Sequence, residues 1–189
     1  MKTKSYACLG ALLLALVANS EEFKQFLVRL AEEDSFTVAE TKTWMIQLVR
    51  TKPLLYTDIR ITPKTGNTFS LTLYFKSDTH AMANLDTPEK MKSVIAYSSQ
   101  SDLKHTGEKE VHFQPIDYRG RYGFYAVITN AIPPQLPNAT NGPFKFTTRG
   151  MVRLTTDSAL GFTLRTHVLN SKEYQTLMDY ILSFVQPAG

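Results

Sequence analysis

Arg149-Gly150-Met151-Val152-Arg153 is the string in this chain best suited to holding a ligand. Residues 149, 151 and 153 share one parity of an extended segment, so Arg149 and Arg153 belong to one face. Thr163, Arg165 and His167 share a parity on the segment that follows. Arg149, Arg153 and Arg165, with Arg119 and Arg121 nearby in sequence, would then line one sheet face, where guanidinium forks can hold a carboxylate or a phosphate. The plainer alternative is a solvated strand face whose long side chains cover apolar surface. Gly150 in mid-strand marks a bulge or a close backbone approach.

Other reactive residue types lack the spacing that catalysis or metal binding requires. His80, His105, His112 and His167 form no H-x-x-x-H or H-E-x-x-H pair, so no metal and no cofactor is expected. His112 with Asp117, or His80 with Asp78 and Asp86, would have to be joined by the fold, and isolated surface histidines are the simpler reading. No serine stands in a G-x-S-x-G elbow. Asp157-Ser158 reads as a hairpin turn, where both side chains favour local backbone bonds. Tyr118, Tyr122, Phe124 and Tyr125 follow one another closely and offer rings for stacking. Without an RNP-like string or a basic excess, nucleic acid is not expected as a partner.

The elements that must position these residues are mostly strands. Residues 21–33 place Phe23, Phe26, Leu27, Leu30 and Ala31 at helical spacing, which predicts a short amphipathic helix. Trp44, Ile46 and Leu48 alternate with polar or flexible neighbours. Residues 55–75 read as a β-hairpin: Ile59 and Ile61, a turn at Pro63-Lys64-Thr65-Gly66-Asn67, then Phe69, Leu71, Leu73 and Phe75 at period two. Asp86-Thr87-Pro88-Glu89 opens a helix over 87–98, with Met91, Val94, Ile95 and Ser98 on one face. Strands follow from Val111, with a turn at Tyr118-Arg119-Gly120-Arg121. Residues 131–143, with four prolines, form a long loop. Phe144–Leu154 and Ala159–Val168 are two further strands. The last helix, over 171–185, is capped by Asn170 and carries Tyr174, Leu177, Met178, Ile181, Leu182 and Val185 on one apolar face.

The first twenty residues say where the protein works. Lys2 and Lys4 precede an apolar run from Ala7 to Ala18, and Ala18-Asn19-Ser20 places small residues before Glu21. That is the layout of a secretory signal peptide, too short to span a bilayer of roughly 30 Å. Its removal would leave residues 21–189 as a single domain without cysteine, because Cys8 is the only one in the chain. Thiol catalysis and a disulfide framework are thereby excluded for the exported form. Lys2 and Lys4 would leave with the signal, reducing the formal charge from +4 to +2. Asn138-Ala139-Thr140 matches an N-glycosylation acceptor, relevant in a eukaryotic source.

Strands, a helix, four strands and a closing helix predict an α+β domain, with a mostly antiparallel sheet covered by helices on opposite faces or ends. Several features together resemble the PsbP-like fold family, including its exported bacterial relatives of DcrB type. They are the Trp44-Met45-Ile46 strand, paired strands at 55–62 and 68–76, and a helix opening at Thr87-Pro88-Glu89-Lys90-Met91. Gly-Phe-Tyr-Ala-Val at 123–127 and the closing Leu182-Ser183-Phe184-Val185 complete the pattern. The resemblance spans about residues 36–186 and implies an α/β/α sandwich and a non-enzymatic accessory, assembly or binding role. It departs from the lipoprotein members in having no lipobox cysteine. The expectation is an exported, periplasmic or extracellular protein that contacts another exported or envelope protein, with no membrane span after signal cleavage. The alternatives are an immunity or inhibitor protein, and a small-ligand-binding protein or hydrolase using the arginine-rich sheet face.

Overall fold

The computed structural model describes residues 25–29, 35–51, 56–76, 82–83, 85–104, 106, 108–130, 143–155 and 157–185. Among these, strands β1 (Gln25–Arg29) and β2 (Ser35–Ala39) form a small antiparallel pair. The main sheet contains β3 (Trp44–Thr51), β4 (Tyr56–Pro63), β5 (Phe69–Lys76), β6 (Phe113–Tyr118), β7 (Arg121–Thr129), β8 (Phe146–Arg153) and β9 (Ala159–Thr166). Their spatial order is β3-β4-β5-β9-β8-β7-β6, antiparallel throughout. Helices α1 (Pro88–Leu103) and α2 (Lys172–Ser183) pack on this sheet, so the chain has an α+β architecture.

Alternation sets the sheet. Along β5, Phe69, Leu71, Leu73 and Phe75 are buried while Ser70, Thr72, Tyr74 and Lys76 are half-buried on the other side. The β6–β7 connection is a two-residue turn in which Arg119 and Gly120 both take positive φ, 53° and 73°. That pair of left-handed residues is the primed turn whose twist suits a hairpin. Thr87 caps α1 by accepting the Lys90 N–H at 3.3 Å, with Pro88 in the first helical turn where its missing N–H is harmless.

The two helices occupy opposite faces. The Thr148 hydroxyl lies 3.2 Å from the Tyr174 hydroxyl of α2, while the next residue, Arg149, donates to Asp102 of α1 at 2.7 Å. Successive strand residues point to opposite sides, so α2 and α1 flank β8 from either side. The faces differ in weight. On the α2 side, eighteen described residues form one buried cluster, centred on Ile59, Ile61, Leu71, Leu73, Phe162, Leu177 and Ile181. Six form the cluster on the α1 side, where Met91 and Ile95 meet Met151 and Ala159. At about 1.5–3 kcal/mol per buried large aliphatic or aromatic side chain, the α2 side supplies most of the stabilisation. The α1 side is covered mainly over β7 and β8.

Several expectations change. The helix expected over 21–33 is a strand where it is described, at Gln25–Arg29, because β2 supplies a cross-strand partner, Phe26 opposite Val38 and Val28 opposite Phe36. Val38 is fully buried in the main core, which anchors the pair. Helix α1 runs five residues beyond Ser98, since Ser99 is buried and Asp102 holds the last turn to the sheet. The cap of α2 is Ser171, whose hydroxyl accepts the Tyr174 N–H at 3.1 Å. Asn170 instead takes φ 57°, the left-handed residue of the preceding turn. The expected signal peptide at 1–20, the loop at 131–142, His80, His105 and Asn138 lie outside the described residues.

Candidate functional site

Cross-strand register decides which arginines meet. Arg60, Thr72, Thr163 and Arg149 stand opposite one another on β4, β5, β9 and β8, forming a single row across four strands. Adjacent strands lie about 4.8 Å apart, so Arg60 and Arg149 are separated by roughly 14 Å at Cα. Arg165 stands opposite Ser70 and Thr147, two residues along from Thr163. The diagonal from Arg165 to Arg149 is therefore roughly 8 Å. Arg60 and Arg165 are exposed, and so are Gln47 and Met45 on β3, the edge strand on the side away from β7 and β8. The hydroxyls of Ser70, Thr72 and Thr163 lie between the arginines.

Three arginines stood out in the sequence, and the fold does not make them one site. Arg149 and Arg165 are neighbours. Arg153 shares their face but lies four residues from Arg149 along β8, roughly 13 Å away. Its Nε donates to the Thr155 carbonyl at 3.2 Å and its Nη1 to the Tyr122 hydroxyl at 3.3 Å. Tyr122 in turn donates to the Leu85 and Asp86 carbonyls at the entry to α1. Arg153 thus ties the β8–β9 turn to the start of α1. Arg149 is engaged with Asp102, both side chains being less than one-fifth exposed. His167 ends the same run with its Nε2 2.9 Å from the Asn67 carbonyl oxygen and its ring against Phe144.

Arg60 completes the row and has a readable signal: it alternates with Ile59 and Ile61, which are fully buried. What the sequence does not carry is the pairing of β5 with β9, which brings it toward Arg149. Electrostatics join the same residues. Burial raises the Tyr74 hydroxyl above its ordinary value, with Arg149 opposing and Asp58 reinforcing the shift. Burial likewise raises the Asp58 carboxyl, against the pull of Arg60. The Tyr74 ring covers Gly161 across the strand pair, where a Cβ would fall 2.0 Å from a ring carbon. Gly150 does the same on the other face, its Cα beneath the Phe162 ring with a Cβ position 2.2 Å from Cζ. The β8 register runs unbroken through Gly150, so it marks a close approach and not a bulge.

On the α2 face a cleft of about 440 Å³ runs between α2 and the β6–β7 hairpin. Ile116, Val127 and Met178 line it together with Tyr125, Tyr174 and Asp179. Tyr125 donates to Gln114 Oε1. Burial raises the Tyr174 hydroxyl, with its Thr148 bond opposing. A second, more open recess of about 630 Å³ surrounds Trp44 with Lys42, Lys64 and Lys172. Among the described residues no group of three or more His, Cys, Asp or Glu side chains is placed to hold a metal, and no helix is long and apolar enough to cross a membrane.

No family model, curated protein or solved structure matches the chain.

Proposed function

We propose that this is an exported, non-enzymatic accessory protein that docks an acidic segment of another exported or envelope protein on the open half of its sheet. The observation that carries the reading is the row Arg60–Thr72–Thr163–Arg149 with Arg165 beside it. Helix α1 packs on β7 and β8, and the exposed arginines fall beyond it on β4 and β9. The exposed guanidinium groups of Arg60 and Arg165, roughly 12 Å apart across β5 over a hydroxyl-bearing surface, suit several carboxylates along a chain better than one small anion. Charge of this kind governs orientation and association rate as much as affinity.

Export rests on the basic start, apolar run and small-residue cleavage site of residues 1–20. The two-sided packing of α1 and α2 supports reading the domain as an α/β/α sandwich of PsbP-like type, whose members the same role would suit. The test is co-isolation from the envelope fraction with the protein and its Arg60→Glu/Arg165→Glu variant. One stoichiometric partner with an acidic contact segment is expected, with affinity lowered at least tenfold in the variant, about 1.4 kcal/mol. Equal retention by both forms would remove this face from the account. An intact mass beginning at Glu21 is expected for the exported chain; a chain retaining residues 1–20 in the exported fraction would contradict cleavage.

A further inference from the structure

We infer that the outer edge of β3 takes an added strand, an extended segment of a partner chain in which acidic and apolar side chains alternate. That this partner is the one met by the arginine row rests on the docking role proposed above. β3 is an edge strand of the main sheet, and β1 and β2 form a sheet of their own without joining it. The Lys64 N–H donates to the Thr43 carbonyl at 2.8 Å, which sets the bonding parity of β3 and β4. Residues 43, 45, 47 and 49 therefore bond to β4. Trp44, Ile46, Leu48 and Arg50 turn their backbone N–H and C=O groups outward.

The first half of that edge is closed by the chain itself. Thr41 Oγ1 accepts the Trp44 N–H at 3.0 Å, and the Thr41 N–H donates to the Trp44 carbonyl at 3.2 Å. The Glu40 carboxylate accepts the Ile46 N–H at 3.1 Å. Beyond it, nothing among the described residues bonds the outward Ile46 carbonyl or the N–H and C=O of Leu48. Sheets ordinarily blunt such an edge with charge, proline or a bulge. Between Ile46 and Val49 β3 has no charged residue and no proline, and its register with β4 is unbroken. An open, regular edge of this kind is the acceptor in strand addition.

The side chains along the edge select the occupant. Four large apolar side chains are exposed among the described residues, and two of them, Met45 at 43% and Leu48 at 36%, are on β3. Alternation puts these two on opposite faces. Leu48 offers apolar contact on the α2 face. On the other face Gln47 stands opposite the exposed Arg60, about 10 Å from an added strand and within the combined reach of an arginine and a glutamate. Asp58 lies two residues along from Arg60, opposite Val49, so a carboxylate is disfavoured there and favoured toward Met45. Lys42 and Lys64 are exposed at that same end. One face of the added strand is thus acidic and the other apolar.

The test titrates the full chain into a fluorescein-labelled, end-blocked peptide of alternating valine and glutamate and follows anisotropy. Saturable binding is expected with a dissociation constant on the order of a millimolar, and a valine–lysine peptide should bind at least tenfold more weakly. Only one alternate set of peptide N–H groups can face β3, so N-methylating that set should abolish binding and N-methylating the other should not. Leu48→Pro removes an outward N–H and leaves the bonds to β4 in place; it should weaken binding at least tenfold with unchanged sheet circular dichroism. If that variant does not fold, the methylated peptides decide on the unaltered chain. Arg60→Glu should weaken binding about fivefold. Arg165→Glu, four strands or roughly 19 Å away, should not, so failure of the edge and failure of the arginine row are read separately. No saturable binding, equal effects of the two methylated sets, or equal binding of the lysine peptide would overturn the inference. So would a dimer of the chain alone that Leu48→Pro dissolves, since the edge would then belong to a second copy.

Discussion

Asp102→Ala tests what holds α1 against the sheet. The Asp102 carboxylate accepts the Arg149 Nε–H at 2.7 Å, and the two side chains are 18% and 17% exposed. That shielding places the pair between exposed ion pairs, at about 0–1 kcal/mol, and buried ones, where removing one partner costs about 3–5 kcal/mol. A charge-assisted hydrogen bond of this length contributes about 2 kcal/mol. One term opposes it. Asp102 stands in the last turn of α1, with no basic residue there, and the negative end of the helix dipole disfavours a carboxylate by about 0.5 kcal/mol. The expected net loss is about 1.5 kcal/mol, lowering Tm by about 3–6 °C. Urea unfolding should show a lower midpoint and an unchanged slope. A double-mutant cycle with Arg149→Met should give a coupling of about 2 kcal/mol. Coupling below about 0.5 kcal/mol would refute the view that this pair anchors the helix.

Three further outcomes follow from particular contacts. Gly150→Ala places a methyl 2.2 Å from Phe162 Cζ, where the fully buried ring has no room to retreat, and should lose about 1–3 kcal/mol in urea unfolding; Gly150→Ala/Phe162→Leu should recover part of that loss, and a stable single variant would contradict the close approach. Burial pushes the Tyr180 hydroxyl up to about 12 from an ordinary 10.0. The unfolded chain therefore releases this proton first, so the contribution of Tyr180 to stability is constant below pH 10 and falls between pH 10 and 12. Tyr180→Phe should lessen, and not abolish, the alkaline decline when unfolding is followed against pH, because the raised Tyr74 and Tyr174 hydroxyls act with the same sign. Thr87→Ala removes the acceptor for the Lys90 N–H and should cost about 1 kcal/mol by the same urea assay, with Thr87→Asn restoring it.

Legibility in the sequence tracked the range of the interactions. The β4–β5 hairpin, the β6–β7 turn and the start of α1 are fixed by residues within a few positions of one another, and all were readable. The strand Gln25–Arg29 was not, because five residues of mixed character become extended only against Ser35–Ala39. The extra length of α1 came from Asp102 meeting Arg149, 47 residues away in sequence. The candidate site behaved likewise. Parity placed Arg149, Arg153 and Arg165 on one face, but register along β8 and β9 separates Arg153 from the other two. Arg60 joins them only through the pairing of β5 with β9, and no local pattern encodes that pairing. The cleft beside α2 was unreadable for the same reason, since Tyr125, Tyr174 and Asp179 come from β7 and α2.

The central claim is that the arginine row is a docking face for an acidic segment. It is tested most directly by placing a photo-crosslinking amino acid at Thr72 in the full chain, within the exporting cell. The account predicts one cross-linked protein, joined through an acidic segment and lost when Arg60→Glu/Arg165→Glu is added. It predicts no such product from the same group placed at Tyr97, which is 76% exposed on α1. A product from Tyr97 alone, or one from Thr72 that survives both charge reversals, would contradict it.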